Sequence, residues 1–136
     1  MRRHGREGRR GILASGYGET GAEGKKSRTR CWLARAAGMR IVGPNSQGLA
    51  NFGNGAIANF STVFNDLPRI PGPVAIISQK AARCRKLICS LLHQRGIGIR
   101  RFATPPATRP TSPWPSCALA AAQDPEVKLL LLYLRR

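Results

Sequence analysis

Met39-Arg-Ile-Val-Gly-Pro-Asn-Ser-Gln-Gly48 and Gly72-Pro-Val-Ala-Ile-Ile-Ser-Gln79 decide the fold of this chain. Each is a short apolar run that stops abruptly in small, turn-forming residues, the pattern of a buried strand ending in a loop. Loops at the carboxyl ends of parallel strands line the binding crevice of α/β proteins. Between positions 41 and 79 only Asp66 and Arg69 are charged, whereas Arg and Lys crowd into residues 1–10, 25–40 and 80–101. The orderly centre and the basic flanks need separate explanations.

Outward from the centre, Ile12-Leu-Ala-Ser15 predicts a buried strand closed by the turn Gly16-Tyr-Gly-Glu19. Residues 22–37 predict a helix with Trp32, Leu33, Ala36 and Ala37 as its apolar face, and Arg40 to Val42 a second strand. This β-α-β order with short turns fits a parallel sheet. Residues 46–72, with Gly, Asn and Pro scattered throughout, read as a long crossing segment. Val74 to Ile77 restarts a strand. Residues 81–95 predict a helix on Leu87, Ile88, Leu91 and Leu92, stopped at Gly96, and Ile97 to Phe102 a further strand. Five prolines between Thr104 and Ser116 break the regularity. A helical turn at Ala118 to Ala122 follows, and Val127 to Tyr133 reads as a fully buried strand.

The 136 residues suffice for one modest domain or for parts of two, and their formal net charge is +17. Such a balance attracts nucleic acid or an anionic surface. The basic runs hold no interleaved aromatic and no nucleic-acid motif, so contact with nucleic acid is expected only through non-specific charge. Cys31, Cys84, Cys89 and Cys117 lack Cys-x-x-Cys spacing, and with only His4 and His93 no zinc set forms. Free thiols and a cytoplasmic location are expected. The longest apolar run, Leu129 to Leu134, is far too short for a membrane span, and the Arg-rich amino terminus does not read as a targeting segment. Gly16-Tyr-Gly-Glu-Thr-Gly21 matches the dinucleotide pattern Gly-x-Gly-x-x-Gly. The acidic residue such a site needs about twenty positions on is missing, since Gly43-Pro-Asn-Ser46 stands there.

Ser15-Gly-Tyr-Gly-Glu19, Gly38-Met-Arg-Ile-Val-Gly-Pro-Asn-Ser46 and Gly72-Pro-Val-Ala-Ile-Ile-Ser-Gln79 together resemble the NDP-forming acyl-CoA synthetases, relatives of the succinyl-CoA synthetase α subunit. His93-Gln-Arg-Gly-Ile-Gly98 and Asp124-Pro-Glu-Val-Lys128, followed by Leu129 to Leu134, continue the resemblance in family order. It implies an α/β fold: residues 1–46 as the end of a Rossmann-like CoA-binding domain, 47–72 as an interdomain linker, and 73–136 as the start of a flavodoxin-like parallel-sheet domain. The basic and Pro-rich stretches are expected to be disordered. It also implies an acid–thiol ligase that moves phosphate through a phosphohistidine between acyl-CoA and NDP. CoA is the expected ligand. NTP with Mg belongs to the full-length family and is not expected on this chain alone, and a nucleotide-grasping domain or subunit is the expected partner.

Carried over residue by residue, the resemblance puts Ala14, Ser15 and Gly16 against CoA, where small side chains allow close approach. Gly43, Pro44, Asn45 and Ser46 form a turn near the thiol, or else a strand-ending turn without ligand contact. Ser78 and Gln79 end a strand ahead of a helix whose N–H groups cradle phosphate. The chain departs from the family at Lys80-Ala81, where Ser-Gly is usual. It departs again at Arg135-Arg136, where Glu-Gly is usual, and neither His4 nor His93 occupies the phosphohistidine position. The isolated chain is therefore expected to be inactive. The divergent stretches 1–10, 26–32, 80–90, 104–117 and 135–136 begin and end sharply and share a composition rich in Arg, Pro, Ala, Ser and Cys. They read as out-of-frame translation of a GC-rich gene, and family-like sequence opposite 104–117 in another frame of the parent DNA is the test. A basic nucleic-acid-binding protein or a non-functional frameshifted product is the alternative.

Overall fold

The computed structural model describes residues 9–12, 17, 20–66, 68–79, 81–105 and 114–134. Within them the chain divides into two compact units, the boundary falling between Ser46 and Gln47. The first holds β1 (Arg9–Gly11), α1 (Gly21–Ala36) and β2 (Arg40–Val42). β1 and β2 pair in parallel, Gly11 opposite Val42, and the Ile12 amide extends the ladder to the Val42 carbonyl at 2.7 Å. The first strand thus starts three residues before the expected Ile12, and 13–16 lie outside the described residues.

α1 keeps its expected span and shows a different face. Gly24 is buried, and Ser27, Cys31 and Ala34 are half-buried at helical intervals. Trp32 and Leu33 stay 42% and 66% exposed. The reading from large apolar side chains fails because a stripe of small residues is what lies inward. The helix closes with the Met39 amide donating to the Ala34 carbonyl at 3.0 Å, a bond of the kind that ends helices in a reversed turn.

The second unit is a five-stranded sheet ordered β4-β3-β6-β5-β7, where β3 is Gly48–Asn51, β4 Ala56–Asn59, β5 Val74–Ser78, β6 Ile99–Thr104 and β7 Leu129–Tyr133. β5 runs parallel to β6 and β7, whereas β3 is antiparallel to both β6 and β4. The strands from 73 onward, β5, β6 and β7, are parallel as expected, and the antiparallel β3 and β4 make the sheet as a whole mixed. Residues 47–72, expected to link two domains, instead supply β3, β4 and the single-turn helix α2 (Val63–Asp66) to this unit. Gly53, Asn54 and Gly55 form the β3–β4 turn, next to Asn51 at the end of β3. There Asn51 Oδ1 accepts from the Gly53 amide and Asn54 Oδ1 from the Ala56 amide.

Pairing registers place Ile57, Ala50, Phe102, Ile76 and Leu131 in one row across all five strands. Val63 and Phe64 of α2 cover this row, with Ile88, Cys89 and Leu92 of α3 (Ala81–Gln94). Phe64 meets Phe52 and Phe102 edge to face, with centroids 5.1 and 4.9 Å apart. α3 presents a narrower face than expected, since Leu87 and Leu91 remain exposed and Cys89 takes the deepest place. Strand residues alternate faces, so Ala75, Ile77 and Ala103 are buried on the opposite side. α4 (Trp114–Ala122) contacts β5, β6 and β7 and buries Ala121. It begins earlier than the expected Ala118, because Pro115 falls in the first turn, where its missing N–H breaks no bond.

β7 is not the buried strand its four leucines suggested. It lies at the sheet edge, paired to β5 alone among the described strands, and Leu129, Leu132 and Tyr133 are exposed. The basic and Pro-rich stretches expected to be disordered are partly helical: 26–32 lie in α1, 81–90 in α3 and 114–117 in α4. Arg9 and Arg10 lie in β1 and Thr104 ends β6, Pro105 follows it, and the rest of these stretches falls outside the described residues.

The turn into β7 is tied down by Asp124. Its carboxylate accepts from Arg101 at 2.8 Å, from Arg100 at 3.3 Å and from the Glu126 amide at 3.2 Å. Desolvation pushes this carboxyl up, but the bonds from Arg101, the Glu126 amide and Arg100 together outweigh it and hold the group below the ordinary carboxylate range. A lowered folded pKa stabilises fully above the unfolded value and is lost as pH falls through the folded one. The urea midpoint of the second unit is expected to drop as pH falls below about 4. Asp124→Asn should show a lower midpoint at neutral pH and a flatter acid limb, and equal acid limbs would contradict this role.

Candidate functional site

Gly43 to Ser46 follows β2 directly, at the carboxyl end of the two-stranded parallel sheet. Gly43 has φ +113°, and a Cβ there would run into the Ile12 carbonyl. Glycine alone brings the two strand ends this close, because any side chain meets backbone. The Gly43–Pro44 peptide is cis, and Asn45 follows at φ +55°, the left-handed region that Asn tolerates better than other non-glycine residues. Gly43, Pro44 and Ser46 are buried and Asn45 is exposed. Ile12 and Val42 end side by side because their strands run in parallel. Ala14, Ser15 and Gly16 lie outside the described residues. Of the dinucleotide-like glycines, Gly16 and Gly18 do too, and Gly21 opens α1.

Ser78 and Gln79 belong to the second unit, at the carboxyl end of β5. Ser78 is fully buried, and the Gln79 amide donates to the Tyr133 carbonyl at 2.9 Å. The Gln79 amide is therefore spent on the sheet, and the N–H groups without an acceptor inside the helix are those of the first turn of α3. Ala81 begins α3 in helical conformation. Among the described non-glycine residues only Asn45 has a left-handed backbone, so alanine for glycine at 81 costs no strain of that kind.

The same sheet end gathers polar groups that strand-and-turn reasoning did not single out. Thr104 pairs with Gly48; its hydroxyl accepts from the Gln47 amide at 2.9 Å and lies 3.1 Å from the Gly48 carbonyl, to which it donates. Asn59 Oδ1 accepts from the Ser61 amide at 2.7 Å, while Asn59 Nδ2 and Ser61 Oγ are buried without a partner among the described residues. His93 is half-buried in the last turn of α3, lining a small cleft with Phe52, Phe64, Cys89 and Ile97. His4 lies outside the described residues. Cys31 and Cys117 are free thiols, and burial pushes Cys117 up. Among the described residues no group of three or more His, Cys, Asp or Glu could hold a metal ion, and no helix is long and apolar enough to cross a membrane.

The fold, a parallel β-α-β unit followed by a mixed sheet flanked by helices, is that of a part of the acetyl-CoA synthetases. The chain is 28% identical to PH0766 of Pyrococcus horikoshii over a crystal structure it matches with TM-score 0.74, covering 95% of this chain and 28% of that one. The dinucleotide-forming acetyl-coenzyme A synthetase 1 of Ca. Korarchaeum cryptofilum, solved in complex with phosphate and ADP, matches in fold. Its TM-score is 0.72 at 22% identity, over 95% of this chain and 26% of that one. By sequence, the homologues of this chain are α subunits of ADP-forming acetate–CoA ligases. Subunit α of ligase I of Pyrococcus furiosus is 42% identical over 52% of this chain, and subunit α of ligase II is 36% identical over 67%. These matches span 15% and 19% of the two relatives, so the chain corresponds to less than a fifth of each. No protein-family model matches the chain. The reading as a basic nucleic-acid-binding protein is not favoured by these relatives.

Proposed function

We propose that this chain is a piece of an ADP-forming acid–thiol ligase, with its first unit lying against CoA and its second offering a phosphate cradle. The reaction of the whole enzyme is carboxylic acid plus CoA plus NTP giving acyl-CoA, NDP and phosphate. Ala14, Ser15 and Gly16 with Gly43, Pro44, Asn45 and Ser46 are the coenzyme contacts, and the first turn of α3 beyond Ser78 and Gln79 receives phosphate. The observation that supports this best is the close seat of Gly43 on the Ile12 carbonyl, which leaves no room for a side chain at the end of β2. That is what a nucleotide tail needs of the backbone it approaches.

A nucleotide-grasping domain or subunit completes the enzyme, and NTP with Mg binds there. A cytoplasmic location goes with the free thiols. The 136-residue chain by itself is expected to form no acyl-CoA from acid, CoA and NTP. A CoA titration followed by calorimetry tests the binding half of this reading. Saturable one-to-one binding that survives a rise from 50 to about 200 mM salt with less than tenfold loss is expected. A loss of about 1,000-fold or more over that range would mean that the basic surface, and not the turn, holds the coenzyme's phosphates.

A further inference from the structure

At the opposite end of the second unit's sheet, the amino end of β6, the β3–β4 turn and the loop after α4 open onto a depression of about 500 Å³. Its charged lining consists of Arg100, Arg101 and Asp124. Both guanidinium groups converge on one carboxylate, so among the described residues one positive charge is left over. Asp124 is buried with a side chain 5% exposed, whereas Arg100 and Arg101 remain 25% and 32% exposed. The acceptor is therefore consumed and the donors still reach solvent.

The guanidinium of Arg100 also lies close against backbone. It packs on Gly53, where an added Cβ would strike the guanidinium carbon and nitrogens. A glycine in the β3–β4 turn thus makes room for a charged plane fixed between backbone and Asp124. The neutral lining has the same polarity. Asn51 and Asn54 spend their side-chain oxygens on the Gly53 and Ala56 amides, so their remaining groups are N–H₂ donors. A fixed fork of guanidinium donors ringed by carboxamide donors suits a tetrahedral oxyanion, and arginine matches phosphate in this way better than any other side chain.

We propose that this depression binds the phosphate group of a small molecule through Arg100, Arg101, Asn51 and Asn54. It lies at the sheet end away from Ser78, Thr104 and Asn59, so it is separate from the cradle at α3 and does not rest on the ligase reading. The test is calorimetry on the whole chain with inorganic pyrophosphate in about 150 mM salt, where loose ionic contacts are screened. One saturable site is expected. Arg100→Met, and separately Asn54→Asp, should each weaken binding about tenfold or more, the loss of one charge-assisted contact. Asn54→Asp keeps the bond to the Ala56 amide and adds a repelling charge on an exposed residue, so it decides the matter if Arg100→Met does not fold. Lys25→Gln in α1 removes one exposed charge elsewhere and should change affinity less than twofold. The proposal is overturned if no saturable site appears, if Asn54→Asp binds as the parent does, or if Lys25→Gln weakens binding as much as Arg100→Met.

Discussion

Phe102→Ala is expected to lower the stability of the second unit by about 3–5 kcal/mol, the range for emptying a large aromatic from a packed core. Phe102 is 1% exposed at the centre of the row that crosses all five strands, between Ala50 of β3 and Ile76 of β5. It joins the antiparallel half of the sheet to the parallel half and supports Phe64 at 4.9 Å. Ala50 on one side is too small to fill the space. Domains of this size have a net stability of about 5–15 kcal/mol, so the variant is left marginal at best. Urea denaturation measures it, with a lower midpoint and an unchanged slope. Phe102→Leu keeps most of the apolar volume and should recover about half of the loss. A midpoint for Phe102→Ala within error of the parent would mean that this row is not the core.

Gly43→Val is expected to open the first unit while leaving the second intact. A β-branched side chain at φ +113° is strained by about 1–3 kcal/mol before any contact is considered. Its Cβ then meets the Ile12 carbonyl, a backbone atom with no side-chain freedom to yield. Among the described residues the ladder of β1 and β2 is three pairs long, extended by the Ile12 amide. Amide exchange reads the outcome residue by residue. The Ile12 amide, bonded to the Val42 carbonyl in the parent, should exchange at the unprotected rate, while Ile76 and Ile77 in β5 keep their protection. Retained protection at Ile12 would show that the turn accepts a side chain and is not shaped by close approach.

What the sequence made legible follows from how local each signal is. β2 and β5 were readable because an apolar run and its terminating turn are contiguous. α3 and its stop were readable from helical spacing and Gly96, and the structure ends that helix with the Ile97 amide on the Leu92 carbonyl at 2.9 Å. β3 and β4 were lost among the glycines and asparagines of 46–72. The signal was present: Asn54-Gly55 between Leu49-Ala50 and Ile57-Ala58 is a hairpin signature. The inward face of α1 was misread because Gly24, Ser27, Cys31 and Ala34 carry little hydrophobic weight, and packing against a sheet selects for size as much as for polarity. The exposure of β7 is a property of strand order, which four leucines in a row do not encode.

The site was legible as turns and not as atoms. The turn at Gly43 to Ser46 follows from its residues, but the Ile12 carbonyl beneath Gly43 is a tertiary contact. That the Gln79 amide is spent on Tyr133 depends on which strand lies beside β5. The relatives supply a direction that residue chemistry alone leaves open, because a buried Gly-Pro-Asn-Ser turn serves equally as a plain strand end.

An amide shift map of the labelled chain during titration with CoA tests the central claim most directly. The turn that ends β2 is predicted to respond first, with the largest changes at Gly43, Asn45 and Ser46. Changes spread evenly over the basic helix α1, with Asn45 unmoved at saturation, would contradict it.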